Sequence, residues 1–322
     1  MKISFSLTFF GLVALFVATS AACSSSAQPP GETDASVDPR SDAGLDATSP
    51  DGSPGADAKP GPGPDGSVAD TAPPPPPDVL TPETITVGPR TRSFGIRIPK
   101  TYDPQVAYPV VFVFHGNGGD GTNLYSFFKF QAASAEKARL VYPNAENLDW
   151  DLYSPASTNK DIAFVEAMVA NVSTRYTVDA TKIFAWGWSN GAYFVNQVAC
   201  RRSSLFRAVA SHAGGAPYEP SDMNRKWPNG FQQCPGQTAV GYIAFHGTND
   251  PVVDFGGGEF SATYWAYVNG CGPARAATTP SPCEAYPACS SGKAAVFCPI
   301  PGIGHGIWSQ AAQASWAFFQ SL

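Results

Sequence analysis

The pentapeptide Gly187-Trp188-Ser189-Asn190-Gly191 constrains this chain more than any other stretch. It stands between an apolar run, Ile183-Phe184-Ala185-Trp186, and a helix-forming stretch that opens Ala192-Tyr193-Phe194. That order predicts a strand, a sharp turn and a helix, with a serine at the apex. A serine hydroxyl at its free pKa is a weak nucleophile, and it becomes reactive only where the backbone exposes it beside a base and an oxyanion site. Glycines flank it because side chains there would collide where the backbone doubles back. The pattern alone arises by chance in Gly-rich chains, so its context has to carry the reading.

Three kinds of sequence share the 322 residues. Residues 1–23 read as an export signal: one lysine, an apolar segment Phe5 to Val17, small residues, then Cys23 directly after two alanines. The apolar core is too short for a membrane span, and a cysteine at that place resembles a bacterial lipobox, so Cys23 is a candidate lipidation site. Plain secretion after signal cleavage is the alternative. Residues 24–80 contain no aromatic residue and are dominated by Pro, Gly, Ser, Ala and Asp. Such a segment cannot bury enough apolar surface to offset its ordering entropy, which predicts a disordered tether. Its ten acidic and two basic residues hold about −8, against −6 for the whole chain. The remainder, 81–322, is near neutral, which argues against a nucleic-acid partner, and is long enough for one domain with a sizeable core.

Within that domain, short continuous apolar runs recur at Val110 to Phe114, Leu140 to Tyr142, Ile183 to Trp186, Ala208 to Ser211, Tyr242 to Phe245 and Ala295 to Phe297. Runs of this kind suit strands buried on both faces. Helical patterns lie between them, as over Ala163 to Ser173. The alternation predicts an α/β class, a mostly parallel central sheet flanked by helices, with ligand sites beyond the carboxyl ends of the strands.

Distinctive residues fall at those ends. His115-Gly116-Asn117-Gly118-Gly119 follows the first run, and its glycines allow a backbone N–H to approach a substrate oxygen. The oxyanion candidates are therefore Gly116, Asn117 and, from the serine turn, Asn190. Loop His246-Gly247-Thr248-Asn249-Asp250-Pro251 follows the Tyr242 run; Asp250 is the candidate acid and Asp254 its competitor. The four histidines are His115, His212, His246 and His305, and His305 alone sits in a late glycine-rich loop, Gly302 to Trp308. The order Ser189, Asp250, His305 is that of the α/β-hydrolase fold, and the joint match is more specific than any member.

The six cysteines beyond Cys23, namely Cys200, Cys234, Cys271, Cys283, Cys289 and Cys298, predict three disulfides in an exported protein. Of 15 possible connectivities, the expectation adopted is Cys200–Cys234, Cys271–Cys298 and Cys283–Cys289. Zinc is the alternative for clustered cysteines, but no Cys-x-x-Cys pair occurs.

Phe94 to Pro99, His115-Gly116, Asp161 to Val165, the Gly187 to Gly191 turn, His246 to Val253 and Gly304-His305 together resemble the polyhydroxybutyrate depolymerase and feruloyl esterase family over residues 84–322. The Cys271 to Cys298 segment is similar to that family too. In place of the proline-containing segment that family members often carry after the last histidine, this chain has Gly306-Ile307-Trp308. The resemblance implies a secreted serine esterase that needs no metal or organic cofactor, with Ser189, His305 and Asp250 as its triad. The implied partner is an ester of plant cell wall or storage polyester; independently of the resemblance, a monomer is expected, touching the membrane only through a lipid anchor at Cys23. No binding domain follows the catalytic one, which shifts weight toward soluble or oligomeric esters.

Trp150, Trp188 and Trp308 lie near the site loops and are candidates for an aromatic acyl pocket, with core packing as the alternative. Asp151 and Asp161 suggest a paired-carboxylate glycosidase, but Asp161 reads better as the cap of a helix starting at Ile162. The same triad would also serve a thioesterase or peptidase, and a surface binding lipoprotein with a vestigial site is the non-enzymatic alternative.

Overall fold

The computed structural model describes residues 79–322; the export signal, Cys23 and nearly all of the tether lie outside the described residues. Among the described residues, ten strands form a single sheet: β1 (Thr81–Val87), β2 (Arg90–Arg97), β3 (Tyr108–Phe114), β4 (Arg139–Pro143), β5 (Val178–Trp188), β6 (Ala208–His212), β7 (Gly241–Gly247), β8 (Ala276–Ala277), β9 (Glu284–Ala285) and β10 (Ala295–Ile300). Their order is β1-β2-β4-β3-β5-β6-β7-β10-β9-β8. The six central strands, β4 through β10, are mutually parallel, while β1 and β2 at one edge and β8 and β9 at the other pair antiparallel. Each apolar run singled out in the sequence lies in one of the central strands.

The helices are α1 (Gly121–Phe127), α2 (Phe130–Ala133), α3 (Lys160–Arg175), α4 (Asn190–Arg201), α5 (Phe255–Val268) and α6 (Ala311–Gln320). They cover both faces, and the two-residue period of a strand decides which core each side chain joins. Val110, Phe112 and Phe114 of β3, with Ile183 and Ala185 of β5, pack with Phe164, Met168, Phe194, Val195 and Trp265 of α3, α4 and α5. Val111 and Val113, with Phe184 and Trp186, pack with Leu124, Phe130, Trp316 and Phe319 of α1, α2 and α6. Trp188 continues the second series, so it emerges on the α1/α6 side of the sheet.

Helix α3 begins at Lys160, two residues before the expected start, and Asn159 caps it by accepting from the N–H groups of Asp161 and Ile162. Asp161 is no cap. Its buried carboxylate lies 2.6 Å from Arg92 Nη2 and accepts from Asp151 N–H at 2.8 Å. Both oxygens are thereby engaged in holding β2 and the 151 loop, which leaves the pair Asp151/Asp161 no role as a glycosidase acid and nucleophile.

The disulfides are Cys200–Cys234, as expected, and Cys271–Cys289 and Cys283–Cys298, which replace the other two expected pairs. Strand register is the reason. β9 runs antiparallel to β10 with Val296 opposite Ala285 and Phe297 opposite Glu284, so the next step faces Cys283 with Cys298. Cys271 and Cys289 are brought together separately, where Gly272 N–H donates to Pro287 O at 2.7 Å and Ser290 N–H to Gly270 O at 3.1 Å. Cys200–Cys234 closes the widest loop, a sequence separation of 34. Replacing both cysteines by serine is expected to lower the unfolding free energy by roughly 3 to 4 kcal/mol, read from urea denaturation midpoints; an unchanged midpoint would contradict it.

Candidate active site

β5 delivers Ser189 at the carboxyl edge of the sheet, and α4 leaves immediately after it. Ser189 has φ 55° and ψ −121°, a conformation that a residue with a Cβ adopts only under constraint. The constraint is visible on both sides. A Cβ on Gly187 would stand 2.2 Å from Gly191 O, and one on Gly191 would stand 2.4 Å from His115 O and 2.5 Å from Phe114 O. Only glycine allows these backbones to pass each other. Ser189 N–H is held by His212 O at 2.9 Å.

His305 arrives from the loop after β10. Its Nε2 is 2.9 Å from Ser189 Oγ, and its Nδ1 is 2.9 Å from Asp250 Oδ2. With Nδ1–H donated to the carboxylate, Nε2 is left as the acceptor for the serine proton. The other oxygen of Asp250 accepts from the N–H groups of Val252 and Val253, both at 2.9 Å. Burial by itself pushes the Asp250 carboxyl up, but the hydrogen bonds from Val253, His305 and Val252 outweigh it and hold the group below the ordinary value. Asp254, the competitor, instead caps α5 by accepting from Gly256 N–H. The three residues expected to act together are therefore one hydrogen-bonded row.

The remaining histidines are buried. His115 shares Nδ1–H with Gly116 O at 2.7 Å and accepts Ala145 N–H on Nε2 at 3.0 Å, which pins the turn carrying Gly116 and Asn117. His246 donates from Nε2 to Val253 O at 3.0 Å and so steadies the Asp250 loop. His212, which sequence reasoning left without a role, joins the two halves of the site: its carbonyl holds Ser189 N–H, and its Nε2 accepts Trp308 N–H at 2.9 Å beside the His305 loop. Nothing in its sequence context marked it, because the link exists only once β6 lies next to β5.

Among the oxyanion candidates, Gly116 is packed on Trp188 and Ser189, where a Cβ would lie 3.0 Å from Trp188 Cε3 and 3.3 Å from Ser189 Cβ. Asn117 is exposed in the same turn, and Asn190 is the first residue of α4, so its N–H has no intrahelical acceptor. The three tryptophans part company. Trp150 is a core residue: 2% exposed, stacked on Phe194 at 4.9 Å and donating from Nε1 to His115 O at 2.9 Å. It ties the 115 turn to the elbow instead of facing substrate. Trp188 and Trp308 line a cavity of about 410 Å³ together with Phe127, Phe128, Lys129, Ile307 and Gln313. The Trp188 ring is 5.4 Å from that of His305, so Trp188 links this cavity to the His305 loop, although Ser189, His305 and Asp250 do not themselves line it. Among the described residues, no group of three or more His, Cys, Asp or Glu is placed to hold a metal ion.

This geometry sits on a fold met elsewhere. The acetyl xylan esterase from Aspergillus awamori superposes with a TM-score of 0.59 over 74% of this chain and 99% of that one, at 18% identity. The chain has the α/β-hydrolase fold. A family model described as the prolyl oligopeptidase family matches residues 157–227, the stretch from α3 through the elbow. The feruloyl esterase C of Emericella nidulans is 30% identical over 190 residues, 56% of this chain and 63% of that protein. Feruloyl esterase D of Neurospora crassa is 25% identical over 233 residues, 66% of this chain and 74% of that protein. The resemblance to feruloyl esterases read from the motifs is thus met by sequence relatives, of which this chain spans 63% of the length in the first case.

Burial, the largest cause in each case, lowers the pKa of His115, His212 and His246 below 6.5, with His212 held down to about 3. The unfolded chain therefore binds more protons than the folded one as pH falls below about 6.5, so stability is lost on acidification, joined at lower pH by protonation of Asp250. The expected result is a Tm that is level above about pH 7 and declines steadily from pH 6.5 toward 3 at constant ionic strength; a Tm unchanged between pH 7 and pH 5 would contradict the neutral, buried histidines.

Proposed function

We propose that this α/β-hydrolase is a serine carboxylic-ester hydrolase acting on feruloyl or acetyl esters of plant polysaccharide, with Ser189, His305 and Asp250 as its catalytic residues. The observation that carries the reading is the row Ser189 Oγ, His305 Nε2, His305 Nδ1 and Asp250 Oδ2, with 2.9 Å at each link. The substrate class follows the activities of the relatives, feruloyl esterases in sequence and an acetyl xylan esterase in fold.

In this reading His305 Nε2 takes the Ser189 proton as Oγ attacks the ester carbonyl, and Asp250 stabilises the imidazolium that forms. The N–H groups of Asn190 and Asn117 receive the developing oxyanion, with Gly116 giving the backbone room; each donor is worth about 3 to 4 kcal/mol in comparable sites. His305 then gives its proton to the leaving alcohol, and water returns through the same steps to free the acyl group. Trp188 and Trp308 would border the acyl group in their cavity. Three disulfides fit an oxidising, extracytoplasmic location, and Cys23 would supply a lipid anchor there.

A peptidase reading has one observation in its favour, the prolyl oligopeptidase match, but that match stops at residue 227 and includes neither Asp250 nor His305. Hydroxybutyrate oligomers remain a further ester class of the resembling family. Turnover of methyl ferulate, acetylated xylan, a hydroxybutyrate oligomer, a thioester and a peptide amide ranks these readings. Methyl ferulate or acetylated xylan is expected to lead, with Ser189→Ala losing about 10⁶ in kcat and Asp250→Asn about 10³ to 10⁴. Equal activity in wild type and Ser189→Ala, or an amide as the best substrate, would overturn the proposal.

A further inference from the structure

The α4 face of the site holds a group of side chains that the acyl-transfer steps do not use. Tyr193 stands one turn into α4, and its N–H donates to Ser189 O at 3.0 Å. Gly215 packs against its ring so closely that a Cβ there would come 2.5 Å from Tyr193 Cε1. Burial, the largest cause, raises the pKa of the half-buried Tyr193 hydroxyl.

Tyr153 and Tyr218 are 76% and 37% exposed, on two loops far apart in sequence. One buried arginine joins those loops. Arg201 donates from Nη1 to Ser154 O at 3.0 Å and from Nη2 to Tyr218 O at 2.6 Å, while its Nε is 3.1 Å from Glu219 Oε2. Gln197 Oε1 accepts from Tyr218 N–H at 3.0 Å. Tyr193, Gln197 and Arg201 recur every fourth residue and therefore share one stripe of α4. Charges with no exposed surface, as in Arg201 and Glu219, are a weak source of net stability, because desolvation offsets their attraction. Their effect here is positional: they fix two tyrosine-bearing loops relative to the helix that begins at the nucleophile.

The two loop segments that carry Tyr153 and Tyr218 are aromatic and uncharged. Residues 152–158 and 213–218 contain no charged side chain. Exposed tyrosines offer a flat apolar face to the C–H side of a sugar ring and a hydroxyl to its polar edge. The surface is also separate from the tryptophan cavity. Tyr193 packs with the α3/α4/α5 core, whereas Trp188, Ile307 and Trp308 pack with the α1/α2/α6 core, so Ser189 stands between the two.

We propose that Tyr153, Tyr193 and Tyr218 form a subsite for a neutral sugar chain on the alcohol side of the scissile ester, leaving the tryptophan cavity to the acyl side. The proposal rests on the esterase reading for its place in the reaction, but the sugar subsite is testable without turnover. With the full chain, kcat/KM is measured on an acetylated or feruloylated xylo-oligosaccharide and on nitrophenyl acetate, for wild type, Tyr153→Ala, Tyr218→Ala and Tyr153→Phe. In parallel, calorimetry follows xylotetraose binding to Ser189→Ala with and without each tyrosine substitution.

The ratio of the two kcat/KM values is expected to fall about ten-fold or more in Tyr153→Ala and Tyr218→Ala, and to recover most of the way in Tyr153→Phe, which keeps the ring. Xylotetraose affinity should fall in the same order. A ratio that stays constant across the variants, or absence of xylotetraose binding to Ser189→Ala at millimolar concentration, would overturn the subsite. Should wild type hydrolyse no ester at all, the esterase reading fails and calorimetry alone decides the sugar subsite.

Discussion

The strained backbone of Ser189 is what the rest of the site depends on. A non-glycine residue at φ 55° and ψ −121° costs on the order of 1 to 3 kcal/mol and persists only where its surroundings leave no alternative. Here β5 fixes one side and α4 the other, Gly187 and Gly191 let the chain double back, and the His212 carbonyl takes the Ser189 N–H. The return is a hydroxyl that projects from the sheet edge at the one point where a loop from β7 and a loop from β10 both reach it.

Those loops meet because of strand order. β6, β7 and β10 follow β5 in space as they do in the sequence, so the acid on the β7 loop and the histidine on the β10 loop come in at successive distances from the serine. The buried histidines then act as struts between neighbouring loops: His115 within its turn and to Ala145, His246 to Val253, His212 to Trp308. The bonds that His115 and His212 accept on Nε2 require neutral rings, which burial favours, whereas His246 donates to Val253 in either ring form. The same burial that rigidifies the site therefore makes the protein sensitive to acid.

The features legible in the sequence were those encoded by adjacent residues. The elbow, the Asp250 loop and the His305 loop are short, glycine-marked and attached to continuous apolar strands, so local chemistry exposed them. β1 and β2 escaped notice because β1 alternates half-buried and exposed positions, and β2 carries three arginines, which leaves little apolar signal. The disulfides Cys271–Cys289 and Cys283–Cys298 depend on a two-residue strand, β9, too short to show as a pattern. Trp150 and Asp161 have the composition of site residues, yet a stacked Phe194 and a buried Arg92 claim them for structure. In each failure a partner distant in sequence decided the outcome.

The central claim is that one serine, activated by His305, forms a covalent acyl-enzyme. The most direct measurement is reaction of the full chain with a fluorophosphonate, followed by mass spectrometry of the peptides, for wild type and His305→Ala. A single adduct is expected on the peptide containing Ser189, formed at least about a hundred-fold more slowly in His305→Ala. An adduct on another serine, no adduct, or equal labelling of the two proteins would contradict it.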